Sequence, residues 1–131
     1  MSVRDGPTGM GKETVNTDDA PPAAADYSQA TVTDGLVFTA GQVALTPEGD
    51  SLADKPVDVQ AEQVLENLGA VLSAADSGLD DALKTTVYFD NVDDYGAANE
   101  VYGEYFDANP PARSAVEAGN LPLGMAVATR A

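Results

Sequence analysis

The spacing of apolar residues changes period along this chain, and those changes fix the class of fold. Between residues 57 and 75, Val57, Ala61, Val64, Leu65, Leu68, Val71, Leu72 and Ala75 recur at helical spacing and form one stripe. Gly78 lies just beyond its end. Leu83, Thr85, Val87 and Phe89 then alternate with Lys84, Thr86 and Tyr88, the period of a half-buried strand. Helical spacing returns over about residues 93–106, with Tyr95, Ala98, Tyr102, Tyr105 and Phe106 on one side. Asp93 or Asp94 is the expected cap, and Pro110-Pro111 forbids continuation. Upstream, residues 29–33 and 36–40 flank Asp34-Gly35, a two-residue hairpin signal. The last strands are expected at about residues 114–118 and 125–130. The order β-β-α-β-α-β-β gives an α+β domain with two helices on one face of a mixed sheet. Self-association is the simplest cover for the other face.

Residues 1–22 read as a flexible acidic N-terminal tail, and residues 23–131 as a single domain. The tail is almost empty of large apolar side chains. Gly6 to Thr14 nearly spells a phosphate-binding loop, but Glu13 stands where Ser or Thr is required, and too few residues precede it for a strand to feed the loop.

The chain has no Cys and no His, which excludes disulfides, thiolate catalysis, Ser-His-Asp triads and His-zinc chemistry. No metal site is expected. No apolar run approaches a membrane span, and no secretory signal precedes the domain, so a cytoplasmic location is expected. The 22 acidic against 6 basic residues leave a net charge of −16, with Asp outnumbering Glu about two to one. Nucleic-acid binding rests on Lys and Arg neutralising phosphates, so this balance argues against it. It also resembles the acidic surfaces that keep proteins soluble in molar salt, and a halophilic cytosol is the expectation.

From Leu65 onward the only cations are Lys84, Arg113 and Arg130. Arg113 stands in Pro110-Pro111-Ala112-Arg113-Ser114-Ala115-Val116-Glu117, where a core strand is expected, and a cation there needs a fixed anionic partner. Two readings stand. Glu117 shares the strand face of Arg113 and would make an internal ion pair. Alternatively, the guanidinium fork grips the carboxylate of a ligand. Ser114 beside it has no His to activate it and reads as a strand hydroxyl. Tyr95, Tyr102 and Tyr105 read as packing residues.

Several segments occur in order: Tyr27-Ser28-Gln29-Ala30, Leu36-Val37-Phe38-Thr39-Ala40-Gly41-Gln42, Gln63-Val64-Leu65-Glu66-Asn67-Leu68, Lys84-Thr85-Thr86-Val87, and Asn99-Glu100-Val101-Tyr102. The Arg113 segment and Leu121-Pro122-Leu123-Gly124 complete the set. Together they resemble the Rid family, also called YjgF, of reactive-intermediate deaminases, over about residues 20–131. The resemblance implies a chorismate-mutase-like homotrimer with active sites in the clefts between subunits. It implies hydrolysis of 2-imino acids, such as 2-iminopropanoate and 2-iminobutanoate, to 2-oxo acids and ammonia without a cofactor. Arg113 would grip the substrate carboxylate and act with Tyr27. Gly41 would offer a backbone N–H, and Asn99 and Ala115 would line the pocket.

The chain departs from that pattern in its final strand. The family places a glutamate seven residues past the leucine of Leu-Pro-x-Gly, which is Ala128 here, and Arg130 follows two residues later. Losing a general base typically costs about 10²–10⁴-fold in rate. Ala25-Asp26 stands where the family has Gly-Pro. Asp26 and Glu117 are the nearby acids, read as a solvated and a structural residue respectively. The alternative function is a non-catalytic trimer that binds small carboxylates.

Overall fold

The computed structural model describes residues 2–5, 11–106 and 108–131. The hairpin forms as its sequence directs. Strands β3 (Ala30–Thr33) and β4 (Leu36–Thr39) pair antiparallel, and both turn residues take positive φ, 48° at Asp34 and 77° at Gly35. Helix α1 (Val57–Ala74) buries the apolar stripe, with Ala61, Val64, Leu65, Leu68, Val71 and Leu72 all inaccessible or nearly so. Strand β5 (Lys84–Phe89) alternates as expected, with Thr85, Val87 and Phe89 buried. Leu83 falls outside the strand and is 75% exposed.

Helix α2 (Tyr95–Tyr105) follows a short 3₁₀ turn at Val92–Asp94. Asp94 is the N-cap residue of α2, as expected, but its side chain makes no capping bond; the side-chain cap belongs to the preceding turn, where Asn91 Oδ1 accepts from Asp93 N at 2.9 Å. Strand β6 (Ala112–Glu117) runs parallel to β5, and β7 (Val127–Arg130) antiparallel to it, in the order β6-β5-β7. This sheet meets the hairpin through mutual Gln42–Thr129 backbone bonds of 2.8 and 3.1 Å, and through Thr39 N to Ala131 O at 2.9 Å. The fold is α+β with a mixed arrangement of strands. The two helices pack on each other, and α1 also packs on β7, β2 and β4.

The N-terminal expectation is overturned. Strands β1 (Ser2–Asp5) and β2 (Glu13–Thr17) extend the hairpin into the order β1-β2-β3-β4. Val15 is fully buried with Ala30, Val32, Val71 and Ala75. Gln29, itself buried, takes the Thr17 N–H at 2.7 Å and donates to Pro21 O at 2.9 Å, which locks this segment to the hairpin. One apolar side chain and a row of backbone hydrogen bonds order a strand that composition reads as disordered. The Gly-rich residues 6–10 of the rejected phosphate loop lie outside the described residues, while Glu13 and Thr14 are paired in β2.

The sheet face away from the helices is bare in the single chain. Leu36 and Phe38 are 48% and 57% exposed there, and Val116 is exposed opposite Tyr88. No helix among the described residues is long and apolar enough to cross a membrane.

Candidate functional site

Arg113 lies on β6, the edge strand of its sheet, where five of six residues are exposed. The expectation of a cation inside a core strand is therefore wrong. An edge strand has a partner on one side only, so Arg113 leaves water incompletely. The parallel register sets Arg113 against Thr85, whose side chain faces the helices, so the guanidinium reaches α2.

There it meets neutral groups. Nη2 donates to the Tyr95 hydroxyl at 2.6 Å and to Asn99 Oδ1 at 2.8 Å. The guanidinium carbon lies 5.3 Å from the centre of the Tyr95 ring and 5.8 Å from that of Tyr102, both within cation–π range. Tyr95, Asn99 and Tyr102 are spaced at i, i+4 and i+7 and so share one face of α2. Phe89 fixes the Tyr95 ring from below, with centroids 6.0 Å apart. The Tyr102 hydroxyl bonds to Thr129 of β7. Burial pushes the Tyr102 phenol up to about 12, against smaller lowering effects of Thr129 and Arg113, so it remains neutral.

The ion-pair reading of Arg113 is overturned. Glu117 Oε1 accepts from Val92 N at 2.9 Å, where it ties the 3₁₀ turn before α2, and no ion pair among the described residues reaches Arg113. Ser114 accepts from Lys84 Nζ at 2.9 Å on the opposite face of the sheet. Ala115 is half-buried beside Arg113 on the helix-facing side.

The other candidate residues gather separately. The backbone bond from Ala40 N to Gln29 O, 2.9 Å, brings the Tyr27 segment beside Gly41. The Gln42–Thr129 pair then brings Gly41 beside Ala128. Tyr27 is half exposed, and its hydroxyl is 3.4 Å from Ala24 N. Ala128 is nearly buried opposite Tyr88. Asp26 is exposed on the loop before Tyr27. Within one chain, no hydrogen bond or ring contact among the described residues joins Arg113 to Tyr27, Gly41 or Ala128. Arg113, Asn99 and Ala115 thus form one group, and Tyr27, Gly41 and Ala128 another.

A groove of about 970 Å³ opens between β4 and the start of β5, but none of these six residues lines it. The small depression at Arg113 is lined by Val87, Phe89, Tyr95, Ala98, Asn99 and Tyr102. Its chemistry, an oriented cation among aromatic and amide groups, singles it out despite its size. Among the described residues no cluster of acidic side chains is placed to hold a metal ion. Sequence reasoning missed Tyr95 and Tyr102 as partners of Arg113. Their spacing was legible, but a helical row of tyrosines reads equally as packing.

The model of the family described as Endoribonuclease L-PSP, the Rid family, matches residues 17–130. The chain belongs to this family. It is 44% identical over 120 residues to a RutC family protein of Synechocystis, covering 90% of this chain and 92% of that one. It is 37% identical over 113 residues to the 2-iminobutanoate/2-iminopropanoate deaminase of the rat, covering 86% of this chain and 82% of the relative. Among solved structures, Escherichia coli TdcF with bound serine superposes with a TM-score of 0.82 at 36% identity, covering 89% of this chain and 94% of that one.

Proposed function

We propose that the chain hydrolyses small 2-imino acids to 2-oxo acids and ammonia, with Arg113 binding the substrate carboxylate. The observation that carries this reading is that Arg113 is held by a phenol, an amide oxygen and two aromatic faces, with no anion among the described residues to cancel its charge. A small carboxylate supplies that anion. The name of the rat relative supports the class of substrate.

The reaction asks little of the protein. Water adds to the electrophilic carbon of the iminium, and the C–N bond then breaks. With both protons of the water, the NH₂ group leaves as ammonium, and the water oxygen becomes the carbonyl. Holding the carboxylate fixes that carbon, which is the positioning share of catalysis. In the homotrimer we propose, the Tyr27, Gly41 and Ala128 group of one subunit faces the Arg113 group of the next. Gly41 N–H has no partner among the described residues, and a Cβ at that position would meet open space. This supports a role for its N–H in binding a polar ligand atom. The reaction needs neither metal nor cofactor in this scheme.

A second reading, a binding protein for small carboxylates without turnover, is favoured by Ala128, whose methyl group cannot activate water. RNA cleavage, which the family description names, is opposed by the net charge of −16 and by the lack of His.

The test is hydrolysis of 2-iminobutanoate, generated in place by a threonine dehydratase in molar KCl, with semicarbazide trapping the remaining imine. Turnover that disappears in Arg113→Ala is the expected result. A silent wild type with activity in Ala128→Glu would establish the binding-protein reading. Turnover unaffected by Arg113→Ala would refute the role of Arg113.

A further inference from the structure

Arg113 cannot offer a carboxylate the two-pronged grip that an unencumbered arginine offers. A guanidinium presents two paired edges, side-on through Nε and Nη2 and end-on through Nη1 and Nη2. Nη2 belongs to both edges. In this chain Nη2 already donates to the Tyr95 hydroxyl at 2.6 Å and to Asn99 Oδ1 at 2.8 Å, one acceptor for each hydrogen it carries. Nε–H and the Nη1 hydrogens have no acceptor among the described residues, but neither can act with Nη2 unless one of these short bonds breaks.

The two acceptors are not equivalent. Asn99 presents its Oδ1, an acceptor that can only repel a carboxylate oxygen. The Tyr95 oxygen accepts from Nη2 and still carries its own proton, and Tyr95 is exposed. Its ring is fixed between Phe89 and the guanidinium, so the hydroxyl is held in place before any ligand arrives.

We propose that Tyr95 is a specificity-determining residue, and that a small carboxylate docks on a composite clamp. One carboxylate oxygen accepts from an Nε or Nη1 hydrogen of Arg113, and the other accepts from the Tyr95 hydroxyl. No existing bond is broken, no proton is transferred, and the Arg113–Tyr95 bond is strengthened because each donor polarises the next. The proposal rests on the reading of Arg113 as the carboxylate site and adds the second donor.

The probe is 2-oxobutanoate, titrated calorimetrically into the full chain in molar KCl, with the near-ultraviolet tyrosine spectrum followed in parallel. Tyr95→Phe removes one oxygen and keeps the ring between Phe89 and Arg113, so the fold is preserved, and far-ultraviolet circular dichroism checks this. The expected result is affinity roughly 10-fold weaker in Tyr95→Phe, the scale of one hydrogen bond to a charged group. The tyrosine difference signal seen on binding to wild type should be much reduced in the variant. Binding that is unchanged or tighter in Tyr95→Phe, yet abolished in Arg113→Ala, overturns the composite clamp and leaves the Arg113 site standing. Binding that survives Arg113→Ala, or is absent from wild type, overturns both.

Discussion

Asn67→Asp changes one atom's chemistry at a fully buried position and should destabilise the chain through the loop that carries Gly41. Asn67 lies in the middle of α1 and donates from Nδ2 to Val43 O at 3.1 Å and to Leu45 O at 2.8 Å. Its Oδ1 accepts from Gln63 at 2.9 Å, so the amide orientation is set from both ends. Aspartate has the same size and leaves no cavity, but its carboxylate turns two donated bonds into oxygen facing oxygen. Each orphaned carbonyl costs about 1–3 kcal/mol; because the bonds are only part-buried, the lower half of that range applies, about 2–4 kcal/mol in all. For a domain of this size that lowers Tm by about 6–15 °C. Burial and the two carbonyls raise the folded pKa of the introduced carboxyl group above its unfolded value of about 3.9. The sign then follows: the protonated carboxyl restores one donor, so the variant is closest to wild type below pH ~4 and loses stability as pH rises through the raised value. The assay is thermal unfolding by near-ultraviolet circular dichroism at a fixed protein concentration, at neutral pH and near pH ~4.5. A deficit below about 2 °C at neutral pH, or one no smaller in acid, would refute the claim that Asn67 holds the loop.

Three further outcomes are expected. Thr85 Oγ1 is fully buried with no partner among the described residues, so Thr85→Val should raise stability by about 1 kcal/mol; a loss in denaturant titrations would mean that the hydroxyl is satisfied. The folded pKa of Tyr102, pushed up to about 12 from 10.0, makes its contribution whole below pH ~10 and lost as pH climbs toward 12. Tyr102→Phe should therefore flatten the alkaline decline of stability, a decline to which Tyr105, raised by partial burial and Glu66, adds in the same direction. With a net charge of −16, the chain should melt higher in molar KCl than in dilute buffer, and a salt-independent Tm would count against an acidic surface adapted to salt.

Local signals were legible wherever a residue type and its spacing point to one structure. The α1 stripe, the Asp34-Gly35 turn and the β5 alternation are of this kind. Strand β2 was not, because its order comes from pairing with β3 and from Gln29 reaching twelve residues back to Thr17, neither of which leaves a periodic trace. The Asn91 cap of the 3₁₀ turn was hidden for a similar reason, since three candidate caps stand in the four residues before α2 and geometry alone selects the one whose side chain bonds. Tyr95, Asn99 and Tyr102 could be placed on one helix face from spacing. That this face covers Arg113 depends on the parallel pairing of β5 and β6, a contact between segments that sequence spacing does not encode.

Arg113 sits at the sheet edge and not inside a core strand. Burial cost no longer argues for a ligand, since an exposed arginine loses little. What argues for one is how its charge is treated. Acidic side chains outnumber basic ones by 22 to 6, so an anionic partner is easy to supply, and Glu117 stands on the same strand face. Yet Glu117 spends its carboxylate on the Val92 N–H, and the groups around Arg113 are a phenol, an amide oxygen and two aromatic faces. Such groups orient a cation without neutralising it. An ion pair at this edge would contribute about 0–1 kcal/mol to stability and would block the site. A charge held but uncancelled among the described residues gives up that small gain, and this is what supports the proposed carboxylate site at Arg113.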